Sequence, residues 1–235
     1  GLCLLGGYLI FAAFFFEKQP QEKVCSHFEV VVDNKSDDKF IEASDIEKDI
    51  NTKGLNPYGK QLKEVDTYAI QQEILENKLI RSANVFITSD GGIRAVIQER
   101  IPVLRIIPDN GNSYYIDKQG EAMPLSNRNT AYLPLATGNI KEDFAATDLY
   151  KFALYLYDNA FWNAQIEQIV VRSKTDVSLI TRIGDHEVLL GSLDNYEDKL
   201  ARLKTFYTEA LPNTGWNRYS KLNLKYDKQV IGTKR

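Results

Sequence analysis

The 235-residue sequence is short of the side chains that most site chemistry uses. It has two cysteines, two histidines and one methionine. A closed zinc site takes four Cys or His ligands. Cys3, Cys25, His27 and His186 are all the chain has, which leaves little for a metal centre. Both cysteines lie near the N-terminus, outside any CxxC pair, so a disulfide framework is excluded. A surplus of positive charge is missing too. Lys and Arg number 29 against 32 Asp and Glu, a formal charge of −3, which argues against a dedicated nucleic-acid binder. No Walker loop, GxGxxG, GxSxG or HExxH is present, nor any internal repeat or low-complexity tract. What remains is ordinary for a globular protein, with 43% hydrophobic and 26% charged residues. The length allows one or two domains, each able to bury a core.

The N-terminal end stands apart. Residues 1–16, GLCLLGGYLIFAAFFF, carry no charge, and the first charged residue is Glu17. A membrane-spanning helix needs about 20 apolar residues. The chain opens on Gly rather than Met, so this run reads as the outer portion of a longer transmembrane helix. A signal-peptide core is the rival, but no small-x-small cleavage site follows Phe16. Residues 17–23, with Pro20, read as a polar tether. Cys3 has only two residues before it, a poor lipobox; Cys25 reads as a small buried residue entering the first strand.

Beyond the tether, 27–32 (HFEVVV) is a β-rich run closed by a polar turn at 33–36. Ser44 with Glu47 three residues on reads as a capping box, followed by Ile46 and Ile50 one turn apart. A second helix is expected from Asp66 or Thr67. Strands over 83–88 and from Ile93 on to Ile107 flank the hairpin signal Asp90-Gly91-Gly92. Pro102 inside the second strand predicts a bulge or an edge. Thus β-α-α-β-β fills residues 24–108, with the domain boundary expected near 108–112. Then 109–235 reads as a mixed α/β unit with a mostly antiparallel sheet, α+β in class overall. It has a hairpin around 117–120 and a helix from Thr147 or Asp148 bearing Leu149, Phe152, Ala153 and Leu156. Strands follow over 165–172, 176–183 and 186–190. Asp194 opens a helix that Leu211-Pro212 should end. Two last strands are expected over 221–227 and 229–234, with Leu222, Leu224 and Tyr226 on one face.

Convergent chemistry is scarce. Asp33, Asp37 and Asp38 lack the spacing of a calcium loop. Asp185, His186 and Glu187 are neighbours in a strand, so their side chains point to opposite faces. His27 and His186 read as structural, and Phe161-Trp162 as packing. No catalytic, cofactor or metal residues and no small-molecule substrate are assigned. A pair of carboxylates brought together by the fold could still serve an envelope enzyme acting on glycan.

Three local motifs, in this order and spacing, resemble those of the FtsQ/DivIB family of bacterial division proteins, and residues 151–156 (KFALYL) and 161–169 (FWNAQIEQI) look most like its Bacteroidetes branch. Glu99-Arg100-Ile101-Pro102 is similar to the family's E-R-x-P stretch. Residues 114–120, YYIDKQG, resemble its Y-x-D-x-x-G hairpin. Residues 222–227, LNLKYD, resemble its terminal V-D-L-R-Y strand. The resemblance implies a single-pass protein of the cytoplasmic membrane, its bulk on the periplasmic side at the division septum. It implies a POTRA domain over 24–108 and the family's C-terminal β domain over 109–235. It implies no catalysis and no cofactor. Implied partners are the bitopic proteins FtsB and FtsL and, through them, the septal peptidoglycan synthase complex. It further implies strand addition by FtsB at an edge formed by Gln229, Val230, Ile231, Gly232 and Thr233, backed by Leu222, Asn223, Leu224, Lys225 and Tyr226. The bland alternative is that these strands only close the sheet. Glu99, Arg100 and Pro102 are either a bulge and ion pair at the domain junction or a recruitment surface. A different module stays open as well: a POTRA-type chaperone for outer-membrane or secreted proteins. Against it, the residues after Pro108 include two helices rather than a barrel's repeated strands.

Overall fold

The computed structural model describes residues 23–33 and 39–235. The expected transmembrane helix over 1–16, nearly all of the tether, Cys3, Asp37 and Asp38 lie outside the described residues. No described helix is long and apolar enough to cross a membrane. The chain divides into two compact units between Glu99 and Arg100.

The first unit runs β1 (Phe28–Val32), α1 (Ala43–Thr52), α2 (Thr67–Leu75), β2 (Ile80–Ile87) and β3 (Ile93–Glu99). Its sheet has the order β1-β3-β2, with β3 parallel to β1 and antiparallel to β2. In β3, Ile93, Ala95 and Ile97 are fully buried while the residues between them are not, the period-2 pattern of a sheet with one covered face. Ile46 and Ile50 from α1 and Ile70 and Ile74 from α2 supply the covering layer. Asp66 caps α2, its Oδ1 accepting the Ala69 N–H at 2.9 Å. The expected capping box on α1 does not form: the helix starts at Ala43, and Ser44 lies inside the first turn. Gly92, in the β2–β3 hairpin, leaves room for the His27 ring; a Cβ there would lie 2.3 Å from it. Cys25 is buried and free, and burial pushes its thiol pKa up.

The second unit holds β4 (Pro102–Pro108), β5 (Tyr114–Asp117), β6 (Ala122–Met123), β7 (Leu135–Gly138), α3 (142–158), α4 (Ala160–Gln165), β8 (Ile166–Ser173), β9 (Asp176–Thr181), β10 (Glu187–Gly191), α5 (196–214), β11 (Tyr219–Asn223) and β12 (Ile231–Lys234). Nine strands form one sheet in the order β12-β11-β10-β9-β8-β7-β4-β5-β6. The pairs β4–β7, β7–β8 and β10–β11 are parallel and the rest antiparallel. Parallel neighbours need a crossover. Helices α3 and α4 make the one from β7 to β8, and α5 makes the one from β10 to β11. Phe144, Leu149, Phe152 and Leu156 of α3 and Leu200, Leu203, Tyr207 and Leu211 of α5 pack into one core with Ile169, Leu179, Val188 and Leu222 of the sheet. Phe161-Trp162 is packing, with Trp162 buried and the two rings edge to face at 4.8 Å.

The expected single strand from Ile93 to Ile107 is two strands in two sheets. The chain leaves the first sheet after Glu99 and enters the second at Pro102, so the division falls at 99/100 instead of near 108–112. Helix α3 starts at Glu142, before Thr147 and Asp148, and contains a π turn over Ala145–Leu149. Pro212 does not end α5. A π turn over Phe206–Ala210 precedes it, and Pro212 sits at the start of a last helical turn, where its missing N–H has no partner to lose.

Candidate functional site

Strand β12 is the last strand of the nine-stranded sheet, and among the described residues no strand lies on its far side. Its inner side pairs with β11 in the register Asn223 with Ile231, Leu222 with Gly232 and Lys221 with Thr233. The Arg235 N–H donates to the Arg218 carbonyl at 3.1 Å. In an antiparallel pair the hydrogen-bonding groups alternate in direction. Ile231, Thr233 and Arg235 therefore face β11, while the N–H and C=O of Gly232 and Lys234 face outward. Ile231, Thr233 and Lys234 are exposed.

β11 holds this edge on the core. Leu222 and Leu224 are fully buried. The Leu224 N–H donates to the Leu189 carbonyl at 2.9 Å. Tyr226 departs from the expectation that it shares their face: it is 55% exposed. The strand stops at Asn223, whose Oδ1 accepts the Lys225 N–H at 3.0 Å and curls the chain away. Of the expected edge, Ile231, Gly232 and Thr233 lie in β12, while Gln229 and Val230 belong to the connection before it. Val230 packs against the core.

Two residues that sequence reasoning missed shape the edge. The Tyr219 ring lies across Gly232, where a Cβ would come within 2.5 Å of it. Arg202, on α5, reaches the connection between β11 and β12. Its Nη1 donates to the carbonyls of Tyr226 at 2.7 Å and Gln229 at 2.6 Å, and its Nη2 to Leu224 at 3.4 Å. Asp198, one turn earlier, lies 3.4 Å from Nε. Arg202 reads in sequence as a solvated helix position, because backbone acceptors leave no trace in residue types.

The E-R-x-P residues divide between the two units. Glu99 is 8% exposed, and its Oε1 accepts the N–H of Phe40 at 3.0 Å and of Ile41 at 2.6 Å, just before α1. Arg100 meets the aspartate of the YYIDKQG hairpin: Nε donates to Asp117 Oδ2 at 2.8 Å. The other oxygen of Asp117 accepts the N–H groups of Gln119 and Glu121, each at 2.9 Å. Pro102 is buried and pairs with Asp117 across β4 and β5. Two of the three motifs thus come together through Arg100 and Asp117. Glu99 thus bonds to backbone of the first unit, and Arg100 and Pro102 both meet Asp117 in the second.

A further run of ionisable groups, Asp185-His186-Glu187, does not converge. His186 points into the core, with Nε2 2.6 Å from the Tyr207 hydroxyl. Burial lowers the His186 pKa and pushes that of Tyr207 up to about 12. Glu187 points to the other face and takes hydrogen bonds from Ser178 at 2.6 Å and Arg172 at 2.7 Å. Burial alone would raise the Glu187 carboxyl, but those bonds hold it below the usual range. A depression of about 580 Å³ beside them is also lined by Glu167 and Asp185. Asp185 lies 3.5 Å from Arg235 and Glu187 2.7 Å from Arg172, so two of its three carboxylates are ion-paired. No group of three or more His, Cys, Asp or Glu side chains among the described residues could hold a metal ion.

Comparison with known families agrees with this architecture. A model for a POTRA-like domain matches residues 23–98. A model described as FtsQ/DivIB, C-terminal related, matches residues 101–233, more than half of the chain. The gap between the two matches falls where the structure divides. No curated protein matches the chain. The chain belongs to the FtsQ/DivIB family of bacterial cell-division proteins.

Proposed function

We propose that this chain is a non-enzymatic division scaffold, anchored in the cytoplasmic membrane by its N-terminal run with its bulk in the periplasm. It binds FtsB- and FtsL-type proteins and links them to septal peptidoglycan synthesis. The contact is β-strand addition on β12. One observation carries this reading: β12 ends the nine-stranded sheet with the backbone groups of Gly232 and Lys234 turned outward. An extended partner satisfies such groups at little cost in reorganisation. Charge supports it. Residues 218–235 hold six cations and one acid, Asp227, in a chain whose net charge is −3. A partner segment with acidic flanks fits that edge and is steered to it.

The test is Lys234→Pro beside Lys234→Ala. Proline removes an outward N–H and leaves the bonds to β11 intact, so the domain still folds. Both variants lose the same charge. We expect Lys234→Ala to bind the purified FtsB-type partner nearly as well as wild type and Lys234→Pro to lose at least about tenfold in affinity. Equal binding by the two variants would remove the edge assignment.

A further inference from the structure

We infer that Arg202 is a positioning residue for the β12 edge: its guanidinium holds the connection of residues 224–229 and thereby keeps β12 docked on β11. The role for partner binding rests on the edge reading above; the docking role stands on the free protein alone.

Leu224 anchors the start of the connection in the core and Lys225 lies 3.5 Å from Asp176; beyond them, as far as Val230, it has few means of its own to stay in place. It is irregular, and Lys228 within it adopts a left-handed conformation at φ 61°, which side chains other than glycine disfavour. The carbonyls of Leu224, Tyr226 and Gln229 take their hydrogen bonds from one side chain rather than from a strand ladder. Arginine suits this task because its planar fork offers several donors in fixed directions, and Asp198, one turn away, adds an ion pair at 3.4 Å without a hydrogen bond to Nε. The Arg202 side chain is 16% exposed, while the Tyr226 and Gln229 residues whose carbonyls it holds are themselves exposed.

β12 itself is weakly held. It has four residues, among the described residues it meets only β11 in the sheet, and Ile231 is 42% exposed. Short, exposed edge elements open more readily than the sheet centre. Detachment of β12 would remove the template on which a partner strand forms. The apparent affinity then falls in proportion to the population that keeps the strand docked. Arg202 sets that population from a helix that need not touch the partner.

The test is hydrogen exchange of the full chain, comparing wild type with Arg202→Met and Arg202→Lys. Methionine keeps much of the apolar stem and removes the donors; lysine keeps the charge but not the fork. In Arg202→Met, amides of residues 229–235 should exchange about tenfold faster or more. Residues 166–181, at the sheet centre, should not change. Arg202→Lys should fall between wild type and Arg202→Met. Unchanged exchange over 229–235 would overturn the inference. So would an equal increase in both regions, since that would make Arg202 a support of the whole unit. Binding of the FtsB-type partner should weaken in Arg202→Met by up to the factor seen in exchange. Wild-type binding with no loss in a variant whose edge exchanges faster would overturn the role in binding. Failure of the wild type to bind would strike the edge reading, while the exchange result still decides the docking role.

Discussion

Asp117 carries more of the second unit than its place in a hairpin suggests. Its side chain is 2% exposed and that of Arg100 10%, so the pair is buried. One carboxylate serves three donors: Arg100 Nε, Gln119 N and Glu121 N. Removing one member of a buried pair costs up to about 3–5 kcal/mol, part of which Glu121 offsets here, its Oε2 lying 3.7 Å from Arg100 Nη2. Asp117→Ala should lose up to that amount. With a urea slope of about 1.5 kcal/mol/M, the unfolding midpoint drops by up to about 2–3 M. Asp117→Asn keeps an acceptor for the two turn amides and loses only the charged bond to Arg100, about 1–3 kcal/mol. Arg100→Met combined with Asp117→Asn should cost less than the sum of the single changes by about 1–3 kcal/mol, since the pair is removed whole. The readout is tryptophan fluorescence in urea. Both tryptophans, Trp162 and Trp216, lie in the second unit, so the signal follows that unit alone. A loss below about 1 kcal/mol for Asp117→Ala would refute the reasoning, as would strict additivity in the double variant.

The remaining predictions concern the other buried polar groups. Glu99→Ala removes the acceptor for the Phe40 and Ile41 amides and should destabilise the first unit by about 2–4 kcal/mol, with Glu99→Gln less affected. Hydrogen exchange at α1 should rise in Glu99→Ala while the tryptophan-monitored transition stays in place; no change at α1 would remove this role. Burial holds the His186 pKa below its ordinary 6.5, so on acidification the unfolded chain takes up the proton first. Its contribution is therefore fully present above about pH 6.5 and is lost as pH falls toward the folded-state pKa. The urea midpoint of wild type should fall from about pH 7.5 to about pH 5.5 by more than that of His186→Gln, and equal slopes would contradict the buried, neutral histidine.

Local signals carried much of the fold. Asp90-Gly91-Gly92 marks its hairpin because Gly91 takes φ 86° and Gly92 lies against His27. The helix stripes mark the core because Phe152, Leu156, Leu200 and Leu203 recur at helical spacing and are all buried. The change of sheet at Arg100-Ile101 was hidden, since strand-forming residues continue on both sides of it and periodicity does not say which sheet a strand joins. For the candidate site, the sequence indicated the final strand and its backing, but not their ends. Tyr226 continues the alternation of Leu222 and Leu224, yet the Asn223 side chain stops the strand first. Arg202 and Tyr219 act on backbone and on a glycine, and neither contact has a counterpart in residue pattern. Arg100 and Asp117 were each singled out in separate motifs; their pairing exists only once β4 and β5 lie side by side.

The outward amides of β12 offer the most direct measurement of the central claim. Among the described residues no strand lies beyond Gly232 and Lys234, whereas an added strand would accept their N–H groups. Hydrogen exchange at these two amides should slow strongly when the chain is saturated with the FtsB-type partner. Unchanged exchange at both amides in the saturated complex would contradict strand addition and move the partner to another surface.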